Sequence, residues 1–145
     1  MILLVEDDPR DEVLTLRALT TNIDIEEVAV VRDGAEALDF LFGTGAHAGR
    51  DVSVTPQVVL LDLKLPKIDG LEVLRRMRLN PRTARLPVVI FTSSSEDEDV
   101  ISSYSLGANS YVRKPVDFEQ FLEATKQLGL YWVGINQTAP PVVSK

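Results

Sequence analysis

One pattern, repeated five times, constrains this chain more than any other feature. A short apolar run is followed by a polar break, and then by a segment with apolar residues at helical spacing. The apolar runs are residues 1–5, 27–31, 57–61, 87–91 and 110–112. The first and fourth, and the third after Gln57, are continuously apolar, without the alternation of a half-exposed strand, which is the pattern of strands buried on both faces. Helices are predicted from Pro9, with Asp8 as N-cap and proline at the first position, and after Asp33-Gly34, with Ala37, Leu38, Leu41 and Phe42 on one stripe. Three more follow: after Asp69-Gly70, from the acidic run 96–99 to Leu106, and from Phe118 with Phe121, Leu122 and Thr125 at helical spacing. Strand–helix alternation predicts an α/β fold, a doubly wound parallel sheet with helices on both faces and right-handed crossovers. Two segments stand outside the repeat. Residues 43–56 form a long polar loop, and residues 128–145 form a C-terminal extension whose first part is apolar and aromatic.

The chain has 145 residues, enough for one domain, placed here at residues 1–127 with the extension beyond it. Fifteen Lys and Arg against 22 Asp and Glu leave a net charge of −7, which argues against non-specific nucleic-acid or anionic-membrane binding. There is no cysteine, so disulfides, thiol nucleophiles and thiolate metal sites are excluded. The only histidine, His47, cannot build a multi-histidine centre and is expected to be a solvent-exposed loop residue. No apolar run approaches the ~20 residues of a membrane span. The N-terminus has no basic region and turns acidic at Glu6, so a secretory signal is not expected and a cytoplasmic location is.

Ligands of open α/β sheets bind at the carboxyl ends of the strands. The first strand delivers Glu6 and Asp7 there, the third Asp62, the fourth Thr92, and the fifth Lys114 with Tyr111 just before it. Three carboxylates brought together repel and need protons, a cation or a lysine. An oxygen-only donor set selects a hard cation, and Mg2+ suits it because it takes one or two carboxylates and keeps waters. Such a site fits phosphoryl transfer. Asp62 is the nucleophile that forms an aspartyl phosphate, Mg2+ and Lys114 neutralise the transferred oxygens, and Thr92 donates a hydrogen bond.

Four stretches carry a family resemblance: LLVEDD (3–8), VVLLDLKLPKIDG (58–70), PVVIFTSS (87–94) and GANSYVRKP (107–115). In order and spacing they resemble the response-regulator receiver domain, the phosphoacceptor half of two-component signalling, from residue 1 to about residue 127. The resemblance implies a flavodoxin-like (βα)5 sandwich with strand order 2-1-3-4-5. Asp62 would then be the phosphoacceptor, Asp7 a direct Mg2+ ligand and Glu6 a water-mediated one. The backbone carbonyl of Lys64 would complete the metal set, and Lys114 would pair with the phosphoryl oxygens ahead of a cis peptide to Pro115. Thr92 and Tyr111 would be the switch pair, the threonine turning to the phosphoryl group and the tyrosine ring moving inward behind it. The donor would be a histidine kinase, with slow self-dephosphorylation of the product. Lys64 and Ser94 stand at positions that tune water attack in this family.

The loop 43–56 and the segment GLYWVGIN (129–136) are similar to stand-alone regulators of bacterial phytochromes, which have no output domain and form homodimers through a C-terminal arm. That implies a bacteriophytochrome kinase as partner, and an intermolecular role for Leu130, Tyr131, Trp132 and Val133. The 18 residues from 128 to 145 are too few for a DNA-binding domain and fit such an arm. Two other functions fit the sequence less well. A dehalogenase-type phosphatase shares the aspartate nucleophile but needs an acid two residues later, where Lys64 stands. An interaction module independent of phosphorylation would lack one of the key acid, threonine or lysine residues, and none is missing.

Overall fold

The computed structural model describes residues 1–140. Five strands, β1 (Ile2–Val5), β2 (Val28–Val31), β3 (Val58–Leu61), β4 (Val88–Thr92) and β5 (Ser110–Arg113), form one sheet. Its order is β2-β1-β3-β4-β5, with every neighbour parallel. The helices are α1 (Pro9–Leu19), α2 (Gly34–Phe42), α3 (Gly70–Leu79), α4 (Asp97–Ser105) and α5 (Phe118–Gly129). The predicted architecture is the one observed.

The unbroken apolar runs form the central strands, where each residue of β1, β3 and β4 is at most 1% exposed. Alternate residues serve opposite layers. Leu3, Val5, Val59, Leu61 and Ile90 meet Ala37, Leu41, Val73 and Met77 from α2 and α3. Ile2, Leu4, Val58, Leu60 and Val89 face the other way, toward Leu16 and Leu19 of α1 and Leu128, Trp132 and Val133. The helix starts are set by aspartates. Asp8, Asp33, Asp69 and Asp117 each accept hydrogen bonds from backbone N–H groups of the first turn of α1, α2, α3 and α5. Gly34 lets α2 begin against the loop after β3, since a Cβ there would lie 1.8 Å from the carbonyl oxygen of Ile68.

Three local expectations change. The Lys114–Pro115 bond is trans, because no cis peptide occurs among the described residues; trans is the ordinary preference of such bonds by about 0.5–1 kcal/mol. The loop 43–56 is folded onto α2, and His47 is half-buried rather than exposed. Its ring meets the edge of Phe40 at 5.3 Å and its Nε2 lies 3.1 Å from Glu36. Arg50 caps the same Phe40 ring at 4.1 Å and donates to the Phe40 carbonyl at 2.6 Å, so the aromatic side chain organises the loop.

The third change concerns the extension. Helix α5 runs past residue 127 to Gly129 and continues in wider π-type turns over Leu130–Ile135. Gly129 leaves room for Leu19 of α1, since a Cβ there would lie 3.0 Å from Leu19 Cδ2. Trp132 and Val133 pack on their own domain, while Leu130 and Tyr131 remain 39% and 46% exposed. Helical turns point the four residues of this strip in different directions, two partly onto the domain and two toward solvent. Residues 141–145 of the extension lie outside the described residues.

Candidate functional site

The sheet's register assembles the site. Hydrogen bonding continues one step beyond the strand ends: the Glu6 N–H donates to the Val31 carbonyl at 3.0 Å, the Asp62 N–H to Val5 at 3.2 Å, and the Lys114 N–H to Thr92 at 2.7 Å. Because Val5 lies beside Leu61, the acids that follow them emerge side by side. A carboxylate oxygen of each of Glu6, Asp7 and Asp62 lies within 4.8 Å of the others. Lys64, Thr92 and Lys114 line the same open cleft, of about 440 Å³.

Lys114 is the hub. It is 5% exposed, and its Nζ donates to Glu6 at 2.5 Å, to Asp62 at 2.9 Å and to Asp11 at 2.9 Å. Burial alone would lower the pKa of this ammonium, but Asp62, Asp11 and Glu6 outweigh it and hold it above the ordinary lysine value. Glu6 is 1% exposed, and burial raises its carboxyl to about 7 against the pull of Lys114. One ammonium thus faces four carboxylates, counting exposed Asp7, and negative charge is left over. An oxygen-only donor set with excess negative charge fits a small divalent cation, held by Glu6, Asp7 and Asp62.

Thr92 is 1% exposed at the end of β4. Tyr111 lies against the core layer beneath it, and its hydroxyl donates to the Ser94 carbonyl at 2.9 Å. The ring is thus half-buried, with its hydroxyl tied to the loop that follows β4. Burial, then the charges of Asp99, Asp62 and Glu96, raise the pKa of that hydroxyl despite the bond to Ser94.

Sequence reasoning missed Asp11. It stands three positions after the N-cap Asp8, in the first turn of α1, a turn that rises directly from the end of β1. That spacing was the available clue. The run 96–99 starts a helix as expected, and within it Asp99 also accepts a hydrogen bond from the Ser94 hydroxyl at 2.5 Å. Among the predicted arm residues, none lines this cleft.

Comparison with known proteins agrees with this geometry. The family described as the response regulator receiver domain matches residues 2–126. Response regulator Rcp1 of Synechocystis is 38% identical over 92% of this chain and 88% of its own length. The crystal structure of its Mn(2+)-bound form superposes with a TM-score of 0.86, at 35% identity over 96% of this chain and 98% of that one. The phosphorylated cyanobacterial phytochrome response regulator RcpA gives a TM-score of 0.88 at 36% identity, covering 96% and 97% of the two chains. The bacteriophytochrome response regulator RtBRR is 51% identical with a TM-score of 0.73, covering 96% and 83%.

Proposed function

The chain belongs to the response-regulator receiver family, and on that premise we propose that Asp62 is its phosphoacceptor and that the cleft around it is a phosphorylation-operated switch. The observation that carries the reading is Lys114, buried and bonded at once to Asp62, Glu6 and Asp11 beside a cation-ready carboxylate cluster. An Asp62 carboxylate oxygen attacks the phosphorus of a phosphohistidine. The new O–P bond forms as the P–N bond breaks, and the imidazole departs with the electron pair. Mg2+, when bound by Glu6, Asp7, Asp62 and the backbone carbonyl of Lys64, supplies neutralisation of the transferred oxygens. Lys114 exchanges its carboxylate partners for phosphoryl oxygens, and Thr92 donates a hydrogen bond to them. The added charge of about −1.5 to −2 biases a pre-existing equilibrium at Thr92 and Tyr111. Water then attacks the phosphorus, the bond from Asp62 oxygen to phosphorus breaks, and inorganic phosphate leaves as Asp62 returns slowly to its carboxylate, with Lys64 and Ser94 governing the water's access.

The donor in this reading is a histidine kinase of the bacteriophytochrome type, supported by the descriptions of RcpA and RtBRR. Residues 1–127 act as the receiver domain. Residues 128–145 form an extension that supports a homodimer, with exposed Leu130 and Tyr131 at its contact and Trp132 and Val133 securing it to the domain. The acidic charge speaks against non-specific nucleic-acid or anionic-membrane partners, and the reading places the chain in the cytoplasm. Among the described residues no helix is long and apolar enough to cross a membrane.

Intact mass after incubation with a small acyl-phosphate donor and Mg2+ tests the reading. A single phosphoryl adduct in the wild type, absent in Asp62→Asn and in EDTA, is expected. The same adduct on Asp62→Asn, or none on the folded wild type, overturns it.

A further inference from the structure

The acidic run 96–99 takes no part in the chemistry at Asp62, yet one half-buried residue joins it to the switch. The Ser94 hydroxyl donates to Asp99 Oδ2 at 2.5 Å and accepts from the Glu96 N–H at 3.3 Å. Its carbonyl accepts from the Tyr111 hydroxyl at 2.9 Å, and its N–H is directed at Thr92 Oγ1 at 3.5 Å. The N-cap residue of α4, Glu96, makes no side-chain capping bond, so the Ser94 hydroxyl takes over an N–H that α4 leaves without a helical partner. Asp99 is itself fixed, because its carbonyl accepts from the buried Ser103 hydroxyl at 2.7 Å.

We propose that the Asp99–Ser94 bond is a latch that fixes the loop between β4 and α4 and holds the Ser94 carbonyl where Tyr111 reaches it. Asp99 is then a positioning residue, which sets how far the chain occupies the inward-tyrosine arrangement before any phosphoryl group arrives. The Thr92 contact to the Ser94 N–H is the long one, so Thr92 can turn toward Asp62 without opening the loop. The latch decides the starting point of the equilibrium that phosphorylation shifts, and with it the amplitude of the switch. That consequence rests on the switch reading above; the placement of Tyr111 does not.

The test uses 19F NMR of the full chain labelled with 3-fluorotyrosine, unphosphorylated, with the Tyr111 resonance assigned through Tyr111→Phe. Asp99→Ala and Ser94→Ala are each expected to move that resonance toward its solvent-exposed position, a change on the order of tenfold in the inward-to-outward ratio. Combining the two should add nothing, since both remove the same bond. Asp99→Asn keeps an acceptor oxygen and should retain most of the inward population. The Tyr131 resonance, remote from the latch, should not move in any variant. A Tyr111 resonance unchanged in both alanine variants overturns the latch. So does an Asp99→Asn variant that matches Asp99→Ala, because charge rather than the hydrogen bond would then be responsible. Failure of the phosphoacceptor assignment is read separately, as a missing adduct by mass.

Discussion

Substituting Glu6 by Gln tests the electrostatics of the site without touching its shape. Glu6 is 1% exposed and its carboxyl stands at about 7 instead of the ordinary 4.5. Below pH 4.5 the group is protonated in both folded and unfolded chains and costs nothing. As pH rises, the unfolded chain ionises first while the folded chain keeps its proton, so stability falls until the folded group ionises near 7 and then levels off. At about 1.4 kcal/mol per pH unit, this window is worth roughly 3 kcal/mol. Urea unfolding in EDTA, followed by circular dichroism from pH 4.5 to 8, is the assay. Glu6→Gln keeps an acceptor for Lys114 and does not titrate. The wild type should therefore lose about 3 kcal/mol more than the variant across the window, the two curves converging at its acidic end. Saturating Mg2+ should restore the wild type at pH 8 by about 3 kcal/mol at a hundredfold excess over its dissociation constant, and the variant by less. Parallel curves for the two proteins in EDTA would refute the reasoning.

Lys114→Met leaves Glu6, Asp62 and Asp11 without their ammonium; a loss of about 3–5 kcal/mol in EDTA at pH 8 is expected by urea denaturation, partly recovered by Mg2+. Gly34→Ala forces a Cβ to within 1.8 Å of the Ile68 carbonyl and should cost about 3 kcal/mol, the upper end of overpacking, seen as a lowered melting temperature. Trp132→Ala should cost about 2 kcal/mol, below the range for a fully buried tryptophan, because its ring is only partly covered. Replacing Leu130 and Tyr131 by serine should change folding stability by less than about 0.5 kcal/mol and weaken self-association in sedimentation velocity. Unchanged sedimentation would remove these two residues from the dimer contact.

The site was legible because a parallel sheet makes it so. All strands point the same way; β1 and β3 end where their apolar runs end, so Glu6 and Asp62 come next, while β4 and β5 run one residue further, to Thr92 and Arg113, and Lys114 follows. What lies off the sheet was harder to read. Asp11 and Asp99 sit in first turns of helices, where the angle at which a helix leaves its strand decides what a side chain meets, and no sequence period encodes that angle. His47 was misjudged because its partner, Phe40, is brought to it by the chain reversing over α2. The division of residues 130–133 could have been read. The stripe Phe121, Thr125, Leu128, Trp132 keeps helical spacing across Gly129, whose missing side chain leaves room for Leu19 of α1.

The two adjacent acids Glu6 and Asp7 look equivalent in sequence and are opposite in physics. Glu6 extends the β1 ladder by one bond to Val31, which draws its side chain beneath the cleft, while Asp7 stands beyond the ladder in water. Asp7 can hold its charge at little cost. Glu6 cannot, and its carboxyl is raised by burial even with Lys114 in contact. A chain selected for stability alone would place an amide or an apolar residue there. Retaining a buried acid makes the cleft a place where negative charge is incompletely compensated, and hence where a divalent cation binds with the electrostatic relief of the whole cluster behind it. The same relief is undone when a dianionic phosphoryl group arrives, unless Lys114 changes partners. In the switch proposed above, the three bonds of that lysine would be the pivot: they hold the resting site together, and their exchange for phosphoryl oxygens would leave Glu6 and Asp11 dependent on the cation. Cation binding and phosphorylation should accordingly be mutually strengthening, through Lys114, in any variant that preserves Glu6.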